Sequence, residues 1–389
     1  MNQSRRSILK LLGLSAAGLC LTVEKLRAQS RGEVDVLDMA IVGAGAAGLT
    51  AGFLLHEAGA NFQIFEADAR HGGRVLRHDG LADFPLDLGG EWIHTNRRVL
   101  NRLSGRADAA ALAREYRPLT SDVWDGARLR RRNFYARAWR GEYRFIDSTW
   151  FDFFDRMMAR PIRDRISLHA AVAGIDTRQD PCVVTLADGR EISARHVIFT
   201  APLNVLKDGD ITFTPALPQE KRQALTGATM PDGFKLFLKF SRRFYPDLVL
   251  FDDGYETPEA ELLFYNAALD KPTEQHILGF FGHGVVATPY TQLSEPACVQ
   301  AALTLLDRLY DGAASPAYGG HVLQNWSNSP FHRGTYSFFH GASPATLGAP
   351  VDGKLHFAGE AYNQRWDGAW GAVHVAARSA YDAVAEIAG

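Results

Sequence analysis

The stretch Ile41 to Ala67, IVGAGAAGLTAGFLLHEAGANFQIFEA, limits the fold more than any other part of the chain. Val36 to Val42 is a short apolar run of the kind that forms a strand buried on both faces. Gly43, Gly45 and Gly48 follow in G-x-G-x-x-G spacing, with Ala44 and Ala47 between them. The first glycine allows a tight turn. The second lets the backbone approach a phosphate, and the third lets a helix pack on the sheet. That helix presents unpaired N–H groups and a positive dipole end at its N-terminus. It is expected to end near Gly59 in a left-handed cap. Asn61 to Phe65 forms the second strand, and Glu66, followed by Ala67, closes it. A carboxylate there accepts both ribose hydroxyls and repels a 2′-phosphate. Strand, glycines, helix, strand and acid in this order predict an α/β fold with a Rossmann-type domain holding a dinucleotide. NAD and FAD both satisfy the pattern so far.

The residues after Glu66 narrow the choice. Gly72, Gly73 and Arg74 follow closely: two glycines permit close backbone approach, and the guanidinium offsets phosphate charge. Leu86 to His94 reads LDLGGEWIH. With the glycine loop, the acid and the G-G-R, this segment resembles the flavin-containing amine oxidases, a family that includes monoamine, polyamine and spermine oxidases and related histone demethylases. The resemblance implies FAD, held in a discontinuous, glutathione-reductase-like domain over 34–92, 165–207 and 350–389. It also implies a smaller α+β substrate domain over 93–164 and 208–349, with a helical insertion shorter than usual.

Other segments extend the resemblance. "RISLHAAVAGIDTRQDPCVVTLADGREISARHVIFTAPLNVL" reads as strand, hairpin turned at Asp188-Gly189, and strand. In the family the backbone at the position of Val172 meets adenine; a plain core valine is the alternative. In "MPDGFKLFLKF", Phe234, Leu236, Leu238 and Phe240 alternate with Lys235, Phe237 and Lys239. Periodicity alone gives a half-buried strand with solvated lysines. The resemblance implies instead that Lys235 holds a water beside flavin N5. "QNWSNSPFHRGTYSFF" resembles the family's late tryptophan and G-x-Y turn, which would set Trp326 against the isoalloxazine and make Tyr336 a wall of the amine pocket. Thr335 stands where monoamine oxidases carry the flavin-linking cysteine, so the expected attachment is noncovalent. "AGE", Ala358 to Glu360, matches the segment that binds the ribityl-phosphate region, and Gly359 and Glu360 are assigned to the cofactor with Gly89, Gly90, Glu91 and Trp92. The terminal helix, with Ala372 at its start, would aim its N-terminus at the flavin O2 edge. His94 matches a histidine near the substrate in polyamine and spermine oxidases; a histidine packed beside Trp92 is the other reading. The chain departs from the family at Gly368, where an aromatic usually closes a cage; Trp366 or Trp370 are the candidates to replace it.

Composition bounds the rest. The chain has 389 residues with 46% apolar and 22% charged, enough for two domains of an ordinary globular protein. A formal net charge of −2 argues against nucleic acid as partner. Cys20, Cys182 and Cys298 form no metal spacing and no disulfide framework. Arg128 to Arg144 contains seven arginines among Phe134, Tyr135, Trp139 and Tyr143: a solvated surface, or a docking site for an acidic substrate or protein partner. "SRRSILKLLGLSAAGLCL" carries Arg5-Arg6 before a short apolar run and reads as a twin-arginine signal over residues 1–28, which implies the export machinery and a periplasmic location; an uncleaved N-terminal anchor is the alternative. The function implied is hydride transfer from an amine to flavin, imine hydrolysis and reoxidation by O₂, with an amine lacking an α-carboxylate as substrate. A non-catalytic flavoprotein that assists maturation of a partner, and an amino-acid oxidase or other flavin oxidoreductase on the same fold, stay open.

Overall fold

The structure, a computed structural model, describes residues 36–252, 260–363 and 371–388. The segment read as an export signal and the Trp366, Gly368 and Trp370 positions lie outside the described residues.

Two sheets organise the chain. In the first, β1 (Val36–Val42) is followed by α1 (Ala46–Ala58) and β2 (Phe62–Phe65), parallel to β1. The hairpin arms Cys182–Leu186 and Glu191–Phe199 join the same sheet, the latter running parallel to β1. Leu355–Phe357 pairs parallel with 197–199. The helix predicted to stop near Gly59 does so: Gly59 adopts φ 77°, and its N–H reaches back to the last turn. The side of α1 that faces the C-terminal helix α2 (Val373–Ala388) is built of small residues. Ala47 and Ala51 share one core with Ala377, Ala380 and Ala383. Short side chains let the two helices approach closely beside the sheet.

The second sheet has the order 318–325, 233–240, 276–283, 261–266, 248–251, 121–124, 129–131. A helix over Glu295–Leu309 covers one face, placing Ala302, Leu303 and Leu306 on Phe234, Leu236 and Phe280. The opposite face is covered as well. Phe84, Leu86 and Leu88 pack on Phe237, Leu263 and Tyr265. The strand Gly233–Phe240 is therefore buried on both faces, not half-solvated as its alternation suggests. Lys235 is only 3% exposed, and the Lys239 ammonium donates to Leu81 O. An alternating pattern reports one buried face; it says nothing of a loop that returns to cover the other.

Two expected domain limits move. Thr212–Thr214 pairs parallel with Val172–Asp176, so the first sheet extends past 207. Within 93–164, only Ser121–Trp124 and Leu129–Arg131 join the second sheet. Val99, Leu100, Trp150, Phe153, Met158 and Ile162 instead share the core of α1 and α2. Their apolar side chains complete a helical layer that α1 and α2 leave open.

Candidate active site and cofactor cavity

A cavity of about 390 Å³ opens at the carboxyl ends of the parallel strands, where a doubly wound sheet binds its ligand. Val42, Phe65 and Thr200, each at the end of a strand, line it. Of the sequence-predicted residues, Gly43, Gly45, Ala47, Glu66, Ala67, Gly73, Arg74, Gly90, Val172, Tyr336, Gly359, Glu360 and Ala372 line it too. Ala44 and Gly48 stand just behind. The Ala44 N–H donates to Glu66 Oε2 at 2.6 Å, and a Cβ on Gly48 would fall 1.9 Å from Gly43 O. Gly48 is therefore fixed by helix-to-turn contact.

The residues fit a dinucleotide. Gly45 is the N-cap of α1 and has no side-chain cap, so the first-turn N–H groups remain for a ligand. A Cβ on Gly45 would meet nothing within 4 Å, which leaves room for a phosphate. Glu66 accepts from the Ala44 and Asp68 N–H groups and still has lone pairs for ribose hydroxyls. Burial pushes its pKa up, partly offset by those two N–H groups. Ligand hydroxyls donating to the carboxylate would stabilise the charged form further. Arg74 donates to Thr335 O at 2.6 Å and pairs with Glu360 at 3.0 Å, linking the start of the site to its end in sequence. Ser337 completes the knot through its own N–H and hydroxyl to Glu360.

At the far end Tyr336 lies 5.0 Å from the His283 ring and 5.2 Å from Phe338. Burial, then the charges of Glu261 and Glu360, raises its phenol far above the ordinary value. It stays neutral.

Gly89, Glu91, Trp92, Trp326, Lys235 and His94 are not on the cavity wall. Trp326 donates Nε1–H to Leu88 O at 2.9 Å and lies behind the Leu88–Gly90 turn, not on the cavity wall. Glu91 is buried, its Oε2 accepting from Lys235 at 2.8 Å and from Tyr265 OH at 2.5 Å. Trp92 packs edge-on to Tyr116 and Tyr265. The Lys235 ammonium also donates to Asp87 O at 3.0 Å and Gly89 O at 2.9 Å. An ammonium has three N–H bonds, and all three are spent on protein. Lys235 thus has no donor left for the water that the resemblance implies; it anchors the 87–91 segment instead. His94 is exposed, with Nδ1 2.8 Å from Glu142, so it is not packed beside Trp92.

The basic run divides. Arg130 pairs with Asp125 on the surface, and the exposed Arg131 pairs with the buried Asp122. Arg144 is 2% exposed, sits 3.6 Å from Glu91 and stacks 4.5 Å over Tyr116. The charges of Lys235 and Arg144, with the two side-chain hydrogen bonds, outweigh burial and hold the Glu91 pKa down. Asp87 beside them is pushed well up, first by burial and then by the Glu91 charge. Sequence reasoning missed Asp87, Tyr265, Phe331 and His332. The LDLGGEWIH segment contains Asp87 and the segment before the G-x-Y turn contains Phe331 and His332, but neither motif gave these residues a role, and no signal pointed to Tyr265.

The flavin containing amine oxidoreductase model matches residues 153–388, and an NAD(P)-binding Rossmann-like model matches 41–107. The chain belongs to the flavin containing amine oxidoreductase family. It is 29% identical over 217 residues to probable polyamine oxidase 4 of Arabidopsis thaliana, covering 55% of this chain and 42% of that protein. It is 27% identical over 212 residues to human lysine-specific histone demethylase 2, covering 52% and 26%. The chain thus spans less than half the length of these curated relatives. Among solved structures, putrescine oxidase bound to putrescine matches with TM-score 0.74 at 18% identity, covering 90% of this chain and 99% of that one. Cyclohexylamine oxidase from Brevibacterium oxydans matches with TM-score 0.73 at 19% identity, over 91% and 99%. Both show the fold. The family cofactor is FAD. Cys182 and Cys298 are buried in the cores of the first sheet and the 295–309 helix, and Thr335 lines the cavity, so no thiol among the described residues is placed to bond it. FAD is held noncovalently.

Proposed function

We propose that the protein oxidises a small amine that lacks an α-carboxylate. The observation that carries this reading is one cavity running from the α1 N-terminus and Glu66 to Tyr336 and Ala372. Its glycine end suits the pyrophosphate, and its aromatic end suits the reacting carbon. FAD, when bound there, supplies the acceptor for a hydride from the carbon beside a neutral amine and passes the electrons to O₂. The chain's own residues do the rest by position. The Glu91–Lys235 pair holds the 87–91 turn, whose Gly90 lines the cavity. Tyr336, neutral and backed by His283 and Phe338, walls the substrate side and excludes water.

Charge favours an amine over an amino acid. The one guanidinium on the described cavity wall is Arg74, already paired with Glu360. Glu261 lies close enough to Tyr336 for its charge to act on that phenol, while its own pKa is raised by burial and by the Glu142 charge against the opposing pull of His94. Carboxylates on that side attract ammonium groups and repel α-carboxylates. The test is anaerobic bleaching of the flavin by matched pairs, phenethylamine against phenylalanine and cadaverine against lysine. The amines should reduce it faster. Consistent preference for the amino acids would overturn the assignment, and no reduction by any of a broad amine panel would favour a non-catalytic flavoprotein.

We also infer export to the periplasm through Arg5 and Arg6, on the strength of the SRRSILK motif. A double change of both arginines to lysine keeps the charge and should abolish export; equal periplasmic yield would disprove the inference.

A further inference from the structure

The segment Pro330 to His332 crosses the cavity wall, and all three residues line it. The chain is pinned just beyond. Arg333 takes a left-handed φ of 51° and pairs through Nε with Asp208 at 3.3 Å and through Nη2 with Asp210. Asn204 donates to Arg333 O. These ties come from the connection between the strands Glu191–Phe199 and Thr212–Thr214, and they hold the backbone just after His332.

His332 is 5% exposed, with its ring edge-on to Trp326 at 5.2 Å. Nδ1 lies 2.7 Å from Ser329 Oγ. Nε2 has no protein partner among the described residues. A Cβ built on Gly73 would lie 3.2 Å from Gly45 Cα and 3.8 Å from that Nε2. Gly45, Gly73 and the imidazole edge therefore converge on one corner of the cavity, and Gly45 caps the helix that presents its free N–H groups there.

We propose that His332 is a cofactor-binding residue whose Nε2–H donates to a pyrophosphate oxygen of FAD seated on the α1 N-terminus. Burial, reinforced by the charges of Arg74 and Arg70, pushes its pKa down to about 3, so the ring is neutral. A neutral imidazole has one donor and one acceptor nitrogen. The Ser329 hydroxyl can rotate to donate to Nδ1, which leaves the proton on Nε2. An anion in the corner selects that tautomer. The inference rests on the family reading of the cavity as an FAD site.

The test is direct titration of the apoprotein with FAD, ADP and adenosine, for the parent and for His332→Leu, His332→Gln and His332→Asn. Loss of a hydrogen bond to a charged acceptor weakens binding by about tenfold or more. His332→Leu should show that loss for both FAD and ADP and leave adenosine, which lacks the pyrophosphate, unchanged. His332→Gln places an amide N–H near the Nε2 position and should recover to within about threefold, an allowance below the full effect of one such bond. The shorter His332→Asn should resemble His332→Leu. If His332→Leu does not fold, the Gln and Asn pair carries the comparison. FAD and ADP affinities unchanged in His332→Leu, or equal between the Gln and Asn forms, would overturn the proposal, as would loss for FAD alone. A parent apoprotein that binds no FAD would instead overturn the reading of the cavity.

Discussion

The two walls of the cofactor cavity are made in opposite ways. The phosphate end consists of backbone: Gly43, Gly45, the start of α1, and a carboxylate held by two N–H groups. The Gly90 wall is backed by buried ionisable groups that do not themselves line the cavity: Asp87, Glu91, Lys235 and Arg144, with Tyr265 and Lys271 beside them. The first wall positions a ligand by leaving side chains out. The second positions a turn by packing a network of ionisable groups behind it. Buried ion pairs add little net stability when complete and are costly when broken, so the second wall contributes mainly a fixed geometry for Leu88 to Gly90. That difference orders what substitutions should do.

The largest effect is expected at Lys235. Lys235→Met removes three donors at once and leaves Glu91 without its closest cation. Breaking a buried pair on one side costs about 3–5 kcal/mol, read as a lower urea midpoint of the apoprotein. Lys235→Met/Glu91→Gln should recover part of that loss, because the uncompensated carboxylate is gone. If Lys235→Met keeps the parental midpoint and only slows flavin reduction or reoxidation, the ammonium is free to hold a water, and the contrast between the walls collapses.

How far the sequence foretold each wall follows from the same contrast. The glycine loop is encoded within about thirty contiguous residues of the kind a βαβ unit needs, and its turn, helix end and acid are all local consequences of residue type. The buried knot draws Asp87 and Glu91 from one segment, Arg144 from the basic run, Lys235 from a central strand and Tyr265 from its second neighbour. No local pattern distinguishes Arg144 from exposed Arg137, or Lys235 from a solvated strand lysine. Both are decided by the fold-back of residues 81–92 over the second sheet. His332 was hidden for another reason: its place depends on the Arg333 ties to Asp208 and Asp210, more than 120 positions away in sequence.

A second, smaller effect appears with pH. The Glu91 pKa is lowered in the folded protein, so Glu91 contributes stability that is present above its unfolded value of about 4.3. That contribution is lost as pH falls through the folded pKa. Asp87 has the opposite sign: its raised folded pKa makes its contribution present below the unfolded value and lost as pH rises. Glu91→Gln removes the first of these outright and relieves the second only in part, because burial and not the Glu91 charge is its larger cause. The stability difference between parent and Glu91→Gln should be greatest above the unfolded Glu value and shrink steadily in more acidic buffer. A difference that stays constant, or grows on acidification, would mean that Glu91 is not held as a carboxylate by Lys235 and Arg144.

The smallest effect on folding is expected at the phosphate end, and it separates two glycines three residues apart. At Gly48 a Cβ would fall 1.9 Å from Gly43 O, a backbone atom that cannot step aside. Gly48→Ala should cost about 1–3 kcal/mol, as overpacked sites do. At Gly45 the backbone has φ −77°, which any residue accepts, and a Cβ meets nothing within 4 Å. Gly45→Ala should therefore leave the urea midpoint of the apoprotein within about 0.5 kcal/mol of the parent, the range of a substitution that touches nothing. The added methyl would nevertheless stand in the space over the first-turn N–H groups, where a pyrophosphate has to approach the backbone. Its whole cost should appear in FAD affinity. Equal FAD binding by Gly45→Ala and the parent would place the pyrophosphate elsewhere in the cavity, while a destabilised apoprotein would mean that Gly45 serves the fold and not the ligand.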